Sequence, residues 1–148
     1  MAAQWQRFKV DISDYGLKPK EREEVADLII ERIYERTTRE NKDADGRRFP
    51  RYSEAYTKSL EFKIAGKSKS NINLELSGDM LASMKLLAEK PKEIVIGFER
   101  GSEENAKADG NIRGTYGKNT PDPRRARNFL GITDQELTKI IRYVKGKD

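Results

Sequence analysis

The stretch INLELSGDMLASMKLLAEKPKEIVIGF, residues 72–98, decides the fold class of this chain. Residues 72–76 alternate apolar and polar side chains, which is typical of a half-buried strand. Ser77 is a candidate N-cap for a short helix over 79–84, where apolar residues recur three to four apart. Residues 85–89 and 93–98 then favour two strands around Lys90-Pro91-Lys92, because proline suits a turn. The stretch predicts a strand, a short helix and a hairpin that seed the core.

The N-terminal part predicts one more strand and the longest helix. Phe8, Val10 and Ile12 alternate with polar residues and form one apolar face of a strand at a sheet edge. Pro19 suits the first turn of a helix, and the acidic residues after it complement the positive helix N-terminus. Apolar residues spaced three to four apart extend this helix to about Arg39. They are Val25, Leu28, Ile29 and Ile33.

A turn-rich loop at residues 41–46 follows, and its oxygen-bearing side chains invite a comparison with calcium loops. The EF-hand spacing and its final glutamate are absent, so we predict no metal there. Next, Phe49 and Tyr52 lie among three arginines. Such residues can stack on bases, but we favour the interpretation that both aromatic side chains anchor the loop to the core. A helix over 54–64 and a polar link over 67–71 lead to the central stretch.

Residues 99–127 are rich in glycine and proline, and we predict a long projecting loop or assembly arm, with one short helix over 103–108 capped by Ser102. Thr133 and Glu136 form a capping box for a last amphipathic helix, which carries Leu137, Ile140, Ile141 and Val144. The candidate subunit-interface or arm residues are Arg113, Tyr116, Lys118, Arg124, Arg125, Arg127, Phe129 and Leu130.

Length and patterning together predict a single α+β domain over residues 1–148, with a small, mainly antiparallel sheet packed by the N-terminal and C-terminal helices. Hydrophobic residues make up 35% and charged residues 37% of the chain. Average domains have roughly 45–50% and 25%, so the buried surface is limited and partners are expected to complete it.

The chain contains no cysteine and no histidine. The commonest metal ligand and general base is therefore absent, and the adjacent carboxylates of the sequence point in different directions on a helix. We predict no catalytic residues, no cofactor and no metal. No apolar run approaches the roughly 18 residues of a membrane span, so we expect no membrane contact.

Three segments resemble the tailed-bacteriophage virion morphogenesis family of tail-completion and neck proteins. The first is DGRRFPRYS at 45–53, the second is LELSGDMLASM at 74–84, and the third is RARNFLGI at 125–132, which leads into the capping box. In that family a first helix leads to the first pattern, the second pattern stands before a hairpin, and a long loop then leads to the third pattern and a terminal helix with an acidic cap. The resemblance covers roughly residues 25–144.

The resemblance implies a non-enzymatic structural virion protein at the head–tail junction, acting in tail completion and head–tail joining as an oligomeric ring. Its partners would be copies of itself and other connector and tail proteins, with non-specific contact to genomic DNA in the lumen. It would reside in the host cytoplasm before assembly and in the virion afterwards. The alternative is a small basic nucleic-acid-binding module, because the net charge is +5 and arginines cluster at 47–51 and 113–127.

Overall fold

The computed structural model of the protein describes residues 3–49, 78–114 and 126–146. Three strands and four α-helices occupy these ranges. The strands are β1 (Arg7–Asp11), β2 (Lys85–Glu89) and β3 (Glu93–Gly97). The α-helices are α1 (Pro19–Glu35), α2 (Gly78–Ala82), α3 (Glu103–Arg113) and α4 (Asp134–Lys145). A 3-10 turn at Ser13–Tyr15 precedes α1, and a π-helical turn at Arg36–Glu40 extends it.

The sheet is antiparallel, with β3 between β1 and β2. Phe8 lies opposite Ile96 on one side of β3, and Leu86 lies opposite Ile96 on the other. A bulge interrupts β2 between Leu86 and Ala88. The predicted β1 strand and the hairpin are confirmed, as is the α+β class.

Gly97 allows β1 to approach β3 closely. A Cβ atom at this position would lie 2.5 Å from the backbone oxygen of Gln6 and 2.7 Å from Cα of Arg7. Both atoms belong to the backbone of the neighbouring segment and cannot rotate away. Any side chain larger than hydrogen at this position would therefore push the two segments apart.

Helix α1 packs against both the sheet and α4. Its residues Val25, Ile29 and Ile33 are fully buried, and the helix contacts β2, β3 and α4. Leu137, Ile141 and Val144 form the buried face of α4. The apolar spacing of both helices correctly predicted these faces, and the capping box of Thr133 and Glu136 is present.

The helix predicted over 103–108 is present as α3, but the prediction of a loop after it is wrong for residues 109–113. Ser102 caps this helix as predicted, accepting a hydrogen bond of 3.0 Å from the amide of Asn105. The helix continues past Ala108 to Arg113, and Gly114 ends it with a left-handed backbone. Gly110 suggested a loop because an internal glycine costs a helix about 1 kcal/mol. Here the helix packs against α2, and Gly110 is buried.

Several predictions concern residues outside the described ranges. These are the strand over 72–76, the Ser77 cap, the helix over 54–64 and the link over 67–71. The short helix predicted over 79–84 is present as α2, and it ends two residues earlier, at Ala82.

Candidate functional site

The loop after α1 is built by its own backbone and by one aspartate. Asn41 adopts a left-handed conformation that ends the π-helical turn, and its carbonyl accepts a hydrogen bond of 3.0 Å from the amide of Phe49. Asp43 bonds to the other side of the loop: its amide donates to the carbonyl of Arg47 at 2.7 Å, and its carboxylate accepts from the amides of Asp45 and Arg47. The loop is thus closed at its base and at its tip.

This loop contacts the segment that precedes α4. The amide of Ala44 donates to the carbonyl of Asn128 at 2.8 Å. A Cβ atom on Gly131 would lie 2.8 Å from Cβ of Ala44, so the close approach requires glycine at 131. Two of the three segments that carry the family resemblance, 45–53 and 125–132, are therefore neighbours in space.

The buried side chain of Arg36 also binds the segment that precedes α4. Its side chain is 1% exposed, and Nη2 donates to the carbonyls of Phe129 and Gly131 at 2.7 and 3.0 Å. Nη1 donates to a carboxylate oxygen of Glu136 at 2.8 Å. A guanidinium has several donors in a fixed plane, so one buried arginine can join α1, the returning segment and the start of α4.

Charges around Arg36 are arranged in a chain. Arg32 bonds Glu136 at 2.7 Å and also forms a bidentate pair with Glu40. Burial lowers the pKa of Arg36, although Glu136 opposes that effect. Burial alone would raise the pKa of Glu136, but the Thr133 amide and both arginines outweigh it, so this pKa is lowered. The hydrogen bond from Arg32 lowers the pKa of Glu40. The folded state thus favours both carboxylates in the charged form.

Helix α3 brings in the remaining segment of the resemblance. The carbonyl of Asn111 accepts a hydrogen bond of 2.7 Å from the amide of Arg127. The side-chain amide of Asn111 lies 3.9 Å from the sulfur of Met80 in α2. Phe98 and Phe129 pack edge to face with ring centroids 6.1 Å apart. The described parts of all three segments, 45–49, 78–84 and 126–132, contribute Phe49, Met80 and Phe129 to one hydrophobic core, and we call this shared region the motif junction.

The other end of α3 holds the N-terminal segment. The amide of Gln6 donates to the Asn105 side chain at 2.7 Å, and the Gln6 side chain donates to Asp109 at 2.9 Å. Asp109 also accepts two hydrogen bonds from Arg113, both at 2.8 Å. Asn105 and Asp109 are buried, and these hydrogen bonds satisfy their polar side chains.

The candidate residues that were predicted to form an arm have different surroundings. Arg113 lies in α3 and pairs with Asp109, so the prediction that it belongs to a projecting loop is wrong. Phe129 and Leu130 are buried in the core of the chain, at 0% and 7% exposure. Arg127 is described, and its amide donates to the carbonyl of Asn111 at 2.7 Å. Phe49, a candidate loop anchor, is also in the core, at 4%. The remaining arm candidates and the loop-anchor candidate Tyr52 lie outside the described residues. They are Tyr52, Tyr116, Lys118, Arg124 and Arg125.

Sequence reasoning missed Arg36, Asn105 and Asp109. Arg36 falls on a helix surface with other charged residues, and only the folded chain reveals its buried partners. Asn105 and Asp109 are four residues apart, which puts them on one face of a helix. The glycines after them led us to predict that this helix ends at residue 108, before Asp109. The sequence identified Glu136 as part of the capping box, but it did not reveal that Glu136 pairs with Arg32 and Arg36 of the first helix.

In the ranges that the structure describes, no group of three or more acidic, histidine or cysteine side chains could hold a metal ion. None of the helices in those ranges combines the length and apolar character needed to cross a bilayer. The buried charged side chains there are Glu21, Arg36 and Asp109, and each makes structural hydrogen bonds. The buried charged side chains of this region therefore hold packed segments together.

No protein-family model and no curated protein matches the sequence, and no solved structure matches the fold.

Proposed function

We propose that this protein is a structural component of a tailed-bacteriophage virion that acts at the head–tail junction, as a neck or tail-completion protein, in the form of an oligomeric ring. The proposal starts from the three sequence segments that resemble the virion morphogenesis family. It assigns the chain no catalytic role. Its partners would be further copies of the chain and the connector and tail proteins next to them.

The observation that carries the proposal is the motif junction. The three segments are separated by 20 and 40 residues of sequence, yet their described parts share one hydrophobic core through Phe49, Met80 and Phe129. Segment 125–132 is also bonded to Ala44, Arg36 and Asn111. Segments that act as one structural unit need to share a core in this way. Their convergence supports the interpretation that the resemblance reflects one cooperative structural unit.

The test is complementation of particle assembly. A phage that encodes this chain is grown with the gene disrupted, and particles are examined by electron microscopy. We expect separate heads and tails to accumulate, and we expect purified protein to restore joined, infectious particles when it is added to the extract. Mass spectrometry of purified wild-type virions should detect the chain. Joined particles without the protein would overturn the proposal.

The nucleic-acid alternative has one observation in its favour. Arg47 and Arg48 are exposed on the closed loop, and neither forms an ion pair with any residue that the structure describes. Against it, Arg36 is buried and Arg113 is neutralised by Asp109. A module that binds duplex DNA through phosphates loses affinity steeply with salt, in proportion to the number of phosphate contacts. A binding titration at several salt concentrations therefore separates the two functions.

A further inference from the structure

The outward face of α1 carries a row of four carboxylates, which we call the acidic face: Glu23, Asp27, Glu31 and Glu35. All four residues are exposed, and they recur every four positions along the helix. Successive members are therefore about 6 Å apart along the axis, and the row is about 18 Å long. None of them has an ion pair or a side-chain hydrogen bond with the residues that the structure describes.

Such a row is unfavourable for an isolated helix. Like charges four residues apart repel each other, and this row contains three such pairs without intervening cations. By contrast, Arg32, on another side of the same helix, is paired with two carboxylates. A cationic surface that binds there would relieve this repulsion.

Tyr34 lies on the same side of the helix and is 43% exposed, which makes it one of the two large exposed hydrophobic residues in the described ranges. By helical geometry it falls within the arc that the carboxylates occupy, three residues from Glu31. An aromatic ring flanked by carboxylates suits a guanidinium group, which can stack on the ring while it donates hydrogen bonds to the acids.

The closed loop supplies guanidinium groups in a fixed position. Arg47 and Arg48 are exposed, and the loop that carries them is tied at Asp43, Ala44 and Phe49. Ordering this loop therefore costs little further conformational entropy when it binds. In the described part of the chain, neither arginine side chain contacts the acidic face of its own α1.

We propose that Arg47 and Arg48 of one copy dock on the acidic face and Tyr34 of a second copy. The two surfaces differ, so the contact is heterologous, and it leaves the acidic face of the first copy and the loop of the second copy free. Repetition of such a contact produces a closed ring or an open filament. This inference deepens the proposed ring assembly and rests on that proposed function for its biological role, while the contact itself can be tested with the purified chain.

The test uses sedimentation equilibrium of the full chain at low salt. We expect concentration-dependent self-association that weakens as salt screens the charges. A loop variant with Arg47→Glu and Arg48→Glu should associate at least roughly tenfold more weakly, and a face variant with Glu31→Arg and Glu35→Arg should do the same. Circular dichroism and urea unfolding verify that both variants are folded.

The decisive measurement mixes the two variants in equal amounts. The loop variant retains an intact acidic face, and the face variant retains an intact loop, so the mixture should associate when neither variant does alone. The matched control, Lys139→Glu with Arg142→Glu, makes the same charge change as the loop variant on exposed residues of α4 and should associate like the wild type.

Three results would overturn the proposed contact: a wild-type chain that stays monomeric up to millimolar concentration, a control variant that loses association equally, or a mixture that stays monomeric. Loss of DNA binding in the loop variant without any change in self-association would also overturn it. The proposed function fails separately, since joined particles formed without the protein refute that function and leave the contact intact.

Discussion

Arg36 and Glu136 are 100 positions apart in sequence, and their side chains meet at 2.8 Å. The arginine is fully buried, and it also binds the carbonyls of Phe129 and Gly131. A single side chain at the end of α1 thereby fixes both the segment before α4 and the capping residue of α4. This relationship makes the C-terminal third of the chain depend on one buried charge.

We predict that Arg36→Met destabilises the protein by about 3–5 kcal/mol, because it leaves Glu136 without its buried partner and two carbonyls without donors. Urea unfolding measures the change in the free energy of unfolding. Arg142→Met, at an exposed position of α4, is the matched control and should stay within about 0.5 kcal/mol of the wild type. Equal effects of the two substitutions would refute a structural role for Arg36.

Stability should fall at acid pH. The pKa values of Glu136 and Glu40 are lowered in the folded protein, whereas an unfolded glutamate titrates near pH ~4.3. Their contribution is therefore fully present above the unfolded pKa and is lost as the pH falls through the folded pKa. We expect Glu136→Gln to flatten the dependence of the urea midpoint on pH below about 5. Asp14→Asn, at an exposed position without an ion pair among the described residues, should leave the slope unchanged, and identical slopes for all three proteins would contradict this.

Gly131→Ala should destabilise the protein by about 1–3 kcal/mol, because the new methyl group would lie 2.8 Å from Cβ of Ala44. Ala44→Gly in the same chain removes the opposing atom and should recover part of that loss. Thermal unfolding of the two single variants and the double variant gives the coupling between the positions. If the effects simply add, the two segments do not pack as described.

Helix α3 should exchange its amide hydrogens slowly. Its backbone is hydrogen-bonded, and Asp109 links it to Gln6 and Arg113. We expect protected amides over residues 107–113 in the purified chain, and Asp109→Ala should reduce this protection and cost about 1–3 kcal/mol. Hydrogen exchange followed by mass spectrometry measures both. Rapid exchange across this region in the wild type would restore the earlier prediction of a projecting loop there.

Local sequence patterns were sufficient for most of the secondary structure. Alternation identified β1 and the hairpin, because strands that are buried on one face place apolar residues at every second position. The three-to-four spacing identified α1 and α4, and Thr133 with Glu136 marked the start of α4. Each of these signals involves residues that are close in sequence, so no knowledge of the remote chain was needed.

Helix α3 shows where local patterns are insufficient. Its glycine and its few aliphatic residues predicted a loop after Ala108, but packing against α2 and the hydrogen bonds to Gln6 stabilise the helix through Arg113. Tertiary contacts overrode a weak intrinsic preference, since the propensity cost of one glycine is smaller than the gain from a buried, fully bonded helix face.

For the candidate site, too, one part followed from the sequence and another part only from the tertiary structure. The sequence by itself determined which segments were unusual, namely 45–53, 74–84 and 125–132, through the order of their turn and cap residues. Only the tertiary structure decided that their described parts share one core, that residues 127–131 are bonded to Arg36 and Asn111, and that α1 carries its acids outward while Arg36 is buried. The physical reason is that a long charged side chain follows no local rule for burial: its environment depends on partners, such as Glu136 and Phe129, that are about 100 residues away.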